Sequence, residues 1–314
     1  NVGGGTSWAI KRSGDTVGER STRRAVMAGT VASRGDACCN CVMAAAEPGD
    51  SDETWFSLLG PVDNTGINNT RVGARVDDAR LKQLYAYPPD PGRCVVLANF
   101  IASLDGGATV SGTSGGLGGP GDRRLFAILR ELADVIVVGA GTAQAENYAG
   151  AKMTAVQRQR RQQCGQSEVP PIAVVTRTGS LAHDLPVLVD TEVPTLILTC
   201  ADAAGGARRR VGAVAEVIDC SGADPGRVDL ATAMSRLAER GLLRVLTEGG
   251  PTLLGAFIAQ GMLDDLCLTC APMLVGGNAV RITGGIDDAP TRMRPVHVLT
   301  DVEGYLYLRY TRDR

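Results

Sequence analysis

From about Val76 onward, short apolar runs alternate with stretches of helical period, which confines the chain to a sheet of mostly parallel strands covered by helices. Cys94–Ala102 (CVVLANFIA) is a nearly continuous apolar run, the pattern of a strand buried on both faces. Val135–Val138, Ile172–Thr176, Thr195–Thr199, Leu243–Thr247 and Leu266–Ala271 repeat it in shorter form, and Glu216–Asp219 does so weakly. Asp122 is placed to cap a helix with Leu125, Ile128, Leu129 and Leu132 on one face. Asp229 is placed to cap another, with Leu230, Ala233, Met234 and Leu237 inward and Gly241 as its stop. Pro251–Gln260 forms a third, and the arginine-rich Thr154–Gln166 reads as a solvated helix or loop. The tail VHVLTDVEGYLYLRY turns back at Glu303-Gly304. The expected fold is α/β: a mostly parallel central sheet, helices on both faces and an antiparallel C-terminal hairpin.

Residues 1–75 break this pattern. They are rich in Gly, Ser, Thr, Asp and Arg, hold both tryptophans and show no sustained period. Such composition buries too little apolar surface to offset ordering entropy, so a disordered extension is expected ahead of a domain at 76–314. A tag, or upstream sequence ahead of the native start, would have this character, and the chain opens with Asn rather than Met. Ala25–Ala32 comes nearest to a signal peptide but is broken by Gly29 and Thr30. No apolar run approaches the roughly 20 residues of a membrane helix. Nine cysteines without a spaced framework suit a reducing compartment, so a cytoplasmic protein is expected. A net charge of −2 gives no basic field to draw nucleic acid.

Ligands of open α/β sheets sit at the carboxyl ends of the strands. The stretch RVLTEGGPTLLGAF (Arg244–Phe257) puts Glu248, Gly249 and Gly250 at such an end. Pro251 follows at the first helical position, where its missing N–H costs nothing. Leu253, Leu254, Phe257 and Ile258 then bury the helix, leaving its first amides beside two glycines: the makings of a phosphate site. The same spacing suits an ordinary strand–turn–helix, and the residues alone leave both open. Gly139-Ala140-Gly141-Thr142 is a second glycine turn after a strand. Gln144 fills its third glycine position and no acid ends a strand about 20 residues later, which argues against a Rossmann fold but not against a nucleotide. Arg177, just past Ile172–Thr176, suits a 2′-phosphate and thus NADP over NAD, although spacing alone favours a plain surface arginine.

Four segments in order carry a family resemblance: ANFIASLDG (Ala98–Gly106), LRELADVIVVGAGT (Leu129–Thr142), TEGGPTLLGAFIAQGMLDDLCL (Thr247–Leu268) and APMLVGG (Ala271–Gly277). They resemble the reductase domain of the riboflavin-biosynthesis deaminase–reductase RibD, which has the dihydrofolate reductase-like fold. The resemblance spans about Arg93–Arg314 and is greatest to stand-alone actinobacterial members. It implies that NADPH reduces the ribosyl group of 5-amino-6-(5-phosphoribosylamino)uracil to a ribityl chain. It further implies that Gly249, Gly250, Pro251, Thr252, Leu253 and Leu254 hold the cofactor pyrophosphate, with Thr142 and Glu146 along the cofactor. Ile101, Ala102 and Gly116 would lie at the nicotinamide end, and Arg177 near the adenosine phosphate. Ser114, Arg130, Lys152 and Glu248 match substrate positions: Arg130 a fork and Lys152 a point charge for a phosphate, Glu248 an acceptor for sugar hydroxyls. Glu248 and Asp105 are the motif carboxylates near the nicotinamide end and so the candidate catalytic groups. Asp105 equally fits a turn residue that caps backbone N–H groups. A homodimer is implied, with the tail hairpin as candidate contact.

This chain departs from the family twice. No His-x-Glu with a downstream Pro-Cys-x-x-Cys is present, so the zinc deaminase half is missing. The lysine common after SLDG is here Gly107, which opens reduction of a pterin such as dihydrofolate, or NADPH binding without turnover, as alternatives. Cys267 and Cys270, three apart on a strand, face opposite sides and suit no shared ion. Cys38, Cys39 and Cys41 have no histidine near them, and no metal is expected. His183 and His297 lack nucleophile spacing, and Arg158, Arg160 and Arg161 read as a solvated face.

Overall fold

Alternating residues of the central strands feed two separate cores, one on each side of a single sheet. The computed structural model describes residues 56–61, 73–285 and 290–313. Its strands are β1 (Phe56–Pro61), β2 (Arg75–Val76), β3 (Val95–Ser103), β4 (Val135–Gly139), β5 (Ile172–Val175) and β6 (Thr195–Thr199). They continue with β7 (Ala215–Asp219), β8 (Arg244–Thr247), β9 (Asp265–Ala271), β10 (Met293–Thr300) and β11 (Leu306–Arg312). The sheet order is β2-β1-β10-β11-β9-β3-β8-β4-β5-β6-β7. From β9 to β7 every pairing is parallel, and the β11, β10, β1 and β2 flank is antiparallel. Leu97, Ile136, Val138, Val174 and Leu246 face one core, while Val96, Ala98, Val137, Ala173 and Val245 face the other. This two-residue period explains why the runs read as continuously apolar.

The helices are α1 (Asp78–Leu84), α2 (Pro120–Leu132), α3 (Ala140–Ala145), α4 (Ala155–Gln163), α5 (Pro186–Val189), α6 (Ala201–Val211), α7 (Leu230–Ala238) and α8 (Pro251–Ala259). Leu125, Ile128 and Leu129 of α2 enter the first core. Leu230, Ala233, Met234 and Leu237 of α7 enter the second with Leu253, Leu254 and Phe257 of α8. Asp229 caps α7, accepting from Thr232 N at 2.6 Å. Asp122, in contrast, is no cap: α2 starts two residues earlier, behind Gly119 and Pro120, and Asp122 lies in its first turn. Proline's preference for the first turn fixes that start.

Two further readings change. Phe56–Pro61 and Arg75, which composition assigned to the extension, belong to the sheet, with Phe56 and Leu58 fully buried. The rest of the extension, the thiols at 38, 39 and 41 included, lies outside the described residues. Arg161 is not part of a solvated face, being only 1% exposed. Its Nη1 donates to the carbonyls of Glu131 (2.8 Å) and Ala133 (2.6 Å), and its Nε to Ser167 (2.8 Å). Carbonyls at a helix C-terminus lack partners within the helix, and here a buried guanidinium supplies them. The tail hairpin lies within the sheet, with β11 flanked by β9 and β10 by β1. No described helix is long and apolar enough to cross a membrane.

Candidate active site

The carboxyl ends of β3, β8 and β4 open into a cavity of about 700 Å³. The glycine-rich loop after β3, the first turns of α2 and α8, and α3 complete its wall. Gly139 N donates to Gly249 O at 2.7 Å, tying the turns after β4 and β8 together. Gly249 has φ +113°, a conformation that excludes side chains, and a Cβ on Gly250 would stand 2.2 Å from Thr142 Oγ1. Gly250 is the N-cap of α8 and offers no side-chain cap to its amides. The first helical bond of α8 runs from Leu254 N to Gly250 O, and Pro251 has no N–H, so Thr252 and Leu253 amides stand at an uncapped helix mouth. Leu253 and Leu254 side chains are buried in the core. Among the pyrophosphate candidates, then, Gly249 and Gly250 make room and Thr252 and Leu253 offer amides. Such a mouth, positive by its dipole and flanked by the Thr142 and Phe100 side chains, fits a dinucleotide diphosphate.

Beside the mouth, Glu248 does not stand free. Arg130, from the last turn of α2, donates Nε to its Oε1 at 2.8 Å and Nη2 to its Oε2 at 2.7 Å. Tyr148 OH donates to Oε2 at 2.9 Å. Burial raises the Tyr148 phenol well above its ordinary value, so it remains a donor. Arg130 also lies over the Phe126 ring, 4.2 Å from the centroid. Burial works against its charge, yet Glu248 and Tyr148 outweigh that and raise the guanidinium's pKa. Arg130 and Glu248, expected at a phosphate and a sugar, bind each other in this structure, and of the two Glu248 lines the cavity.

The remaining candidates divide. Ile101, Ser114, Thr142, Glu146, Gly250 and Pro251 line the cavity, and Glu146 Oε1 accepts from Ser114 N at 2.7 Å, joining the glycine loop to α3. Ala102 is buried behind the lining and Gly116 stands in the exposed loop. Lys152 is outside the lining, 58% exposed and paired with Asp190 at 2.6 Å. Arg177 is exposed past the end of β5, with no ion pair among the described residues. Asp105 takes the turn role. It accepts from Ser103 Oγ (2.5 Å), Val275 N (3.1 Å) and Gly276 N (2.7 Å), and these bonds, the Ser103 one foremost, bring its carboxyl from 3.8 down to about 2. A group so easily ionised is a poor proton donor near neutral pH. Because the folded value is depressed, the stability that Asp105 adds is full above about pH 4 and lost as pH falls through about 2. The melting-temperature gap between wild type and Asp105→Asn is expected to be constant above pH 4 and to close toward pH 2; a gap that does not move with pH would rule this out.

Tyr148, Phe126, Asp122 and Arg123 also line the cavity and were not singled out as site residues from the sequence. Tyr148 follows Glu146 by two residues, and that spacing was the one signal available. Gly107 is buried, and a Cβ there would stand 2.9 Å from Ala279 Cβ and 3.2 Å from Ser103 Oγ, so the position has no room for a lysine. Cys267 is buried on β9 and Cys270 half-buried; burial pushes the Cys267 thiol up to about 12.

Comparison with known proteins bears on this geometry. The family model described as the RibD C-terminal domain matches residues 94–307, more than half of the chain. The chain belongs to the RibD C-terminal domain family. Within it, the chain is 31% identical over 186 residues to the 2,5-diamino-6-ribosylamino-4(3H)-pyrimidinone 5′-phosphate reductase of Archaeoglobus fulgidus, covering 59% of this chain and 83% of that one. It is 30% identical to the enzyme of the same name from Methanothermobacter thermautotrophicus, covering 64% and 90%. Among solved structures, a pyrimidine reductase-like protein from Corynebacterium diphtheriae superposes with a TM-score of 0.64 at 27% identity, covering 74% of this chain and 99% of that one. The mixed α/β sheet with its antiparallel C-terminal strands is thus the dihydrofolate reductase-like fold of the RibD C-terminal family. The reductases of this family imply a nicotinamide cofactor.

Proposed function

We propose that the chain is an NADPH-dependent reductase that converts the ribosyl group of a phosphoribosylamino-pyrimidine to a ribityl chain. The observation that carries this reading is the uncapped α8 mouth at Gly250 and Pro251, lining the same cavity as the Glu248 carboxylate. Bound NADPH supplies a hydride. Amides of Thr252 and Leu253 would hold its diphosphate, beside Thr142, which abuts Gly250 on the cavity wall. Arg177, exposed beyond β5, would meet the 2′-phosphate and favour NADP over NAD. Glu248, held in place by Arg130 and Tyr148, presents a fixed acceptor edge to the sugar hydroxyls. Such fixing matters because hydride transfer needs donor and acceptor carbons in near-attack contact.

The pyrimidine itself has two forms to distinguish. The archaeal relatives are named for the 2,5-diamino-pyrimidinone, whereas the family resemblance points to the 5-amino-uracil. A second reading, reduction of dihydrofolate, gains support from the cations: Arg130 is spent on Glu248, Lys152 lies outside the cavity and Gly107 replaces a lysine. Arg123 is the cation of the lining among the described residues, and a substrate phosphate depends on it. One assay separates these readings: loss of NADPH absorbance with each pyrimidine phosphate and, separately, with dihydrofolate. Turnover of a pyrimidine alone is the expected result. Turnover of dihydrofolate alone supports the second reading, and tight NADPH binding without turnover of any refutes both.

A further inference from the structure

Adding a hydride to the carbon of a C=N bond leaves an electron pair on nitrogen, and a proton must meet it. Among the described residues, three carboxyls line the cavity: Asp122, Glu146 and Glu248. Two are already committed. Glu248 accepts bonds from Arg130 and Tyr148, and Glu146 accepts one from the Ser114 amide. Asp105, the other motif carboxylate, lies outside the lining with its oxygens spent on the loop. Asp122 differs from all of these. It stands in the first turn of α2 facing the cavity, partly buried, and has no ion pair among the described residues. We propose that Asp122 is the proton donor of the reduction.

The surroundings suit that task. A Cβ on Gly118 would stand 3.1 Å from Asp122 Oδ2, so the glycine loop leaves just enough room for the carboxyl. On β9, the buried Thr269 Oγ1 has no hydrogen-bond partner of regular geometry among the described residues, and its hydroxyl acts on Asp122. The tail hairpin brings further acids up to this turn: a Cβ on Gly121 would stand 2.6 Å from Asp301 Oδ2, and one on Gly119 would stand 3.0 Å from Glu303 Oε2. Tyr305 and Tyr307 also feel the charge of Asp122, and Tyr307 OH donates to Asp301 at 2.6 Å. Burial raises the Asp122 carboxyl above its ordinary value, while Thr269 and the Arg123 charge pull it back in part. The helix dipole also favours its anion, so both protonation states are within reach.

This inference rests on the pyrimidine reading above. The ring-opened ribosylamine presents a C=N bond. The hydride bonds to carbon, the C=N π pair moves onto nitrogen, and the Asp122 O–H bond breaks as N–H forms. The substrate gains two electrons with the hydride drawn from reduced nicotinamide, and water entering the cavity reprotonates the carboxylate.

Asp122→Asn tests the assignment. Turnover is expected to fall roughly 10²–10⁴-fold, the span typical of losing a general acid, with NADPH affinity unchanged. In wild type, kcat falls as pH rises through the folded pKa of Asp122, and this limb is absent from the variant. Melting temperature is expected to hold or rise, because the substitution removes a partly buried charge. Carbon-13 NMR of labelled aspartate gives a readout without turnover: Asp122 is expected to titrate above 3.8. Full kcat in Asp122→Asn, a raised KM with the high-pH limb intact, or titration at or below 3.8 would each overturn the assignment alone. A wild type that turns over no pyrimidine would remove the parent reading with it.

Discussion

Glu248→Ala is expected to lose about 3–5 kcal/mol of stability, because it strands a buried guanidinium without its partner. The Glu248 side chain is 2% exposed and that of Arg130 16%, so water from the cavity replaces only part of what the carboxylate gave. Tyr148 OH loses its acceptor at the same time. A urea titration shows the loss as a lower midpoint with an unchanged slope. The paired variant Arg130→Met/Glu248→Leu separates stability from function. Replacing both members of a buried ion pair with apolar groups is often neutral or stabilising, so its midpoint is expected near wild type. Turnover is expected to stay lost, since no acceptor remains for the sugar. A stable, active double variant would mean that the pair serves the fold alone. Glu248→Gln keeps the shape and is expected to reduce turnover far more than NADPH affinity.

Gly250→Ala comes next in size. The added methyl meets Thr142 Oγ1 at 2.2 Å, an overlap that the backbone or Thr142 must relieve, at a cost of about 1–3 kcal/mol. Cofactor affinity is expected to fall along with stability, because the methyl enters the helix mouth. Thr142→Ala offers a rescue: it removes the clashing oxygen and leaves only Thr142 Cβ, 3.6 Å away. In Gly250→Ala/Thr142→Ala, stability is expected to recover while NADPH binding, followed by fluorescence titration, stays weak. Recovery of both would show that the glycine merely makes room for a threonine.

The sheet could be read from the sequence because each central strand is short, apolar and bounded by turn residues, and because Asp229 and Pro251 mark helix starts by local chemistry. The glycine mouth could be read for the same reason: φ +113° at Gly249 and the close approach at Gly250 are local demands that glycine meets. Long-range partners left no such trace. Arg130 and Glu248 lie 118 residues apart, so nothing local in the sequence marks them as partners. Arg161 shows the same limit: RQRRQQ looks solvated until the C-terminal carbonyls of α2 arrive from 28 to 31 residues upstream. The strand at Phe56–Pro61 was hidden by the polar composition around it, since its partner β10 lies at the far end of the chain. Asp122 was mistaken for a cap because the competing start, Gly119 and Pro120, puts it three positions into the helix.

Crystals grown with reduced NADP test the central claim most directly. The expected result is density for the cofactor diphosphate within hydrogen-bond reach of the Thr252 and Leu253 amides, with its 2′-phosphate toward Arg177. A diphosphate bound away from the α8 mouth, or no ordered cofactor at saturating concentration, would contradict it.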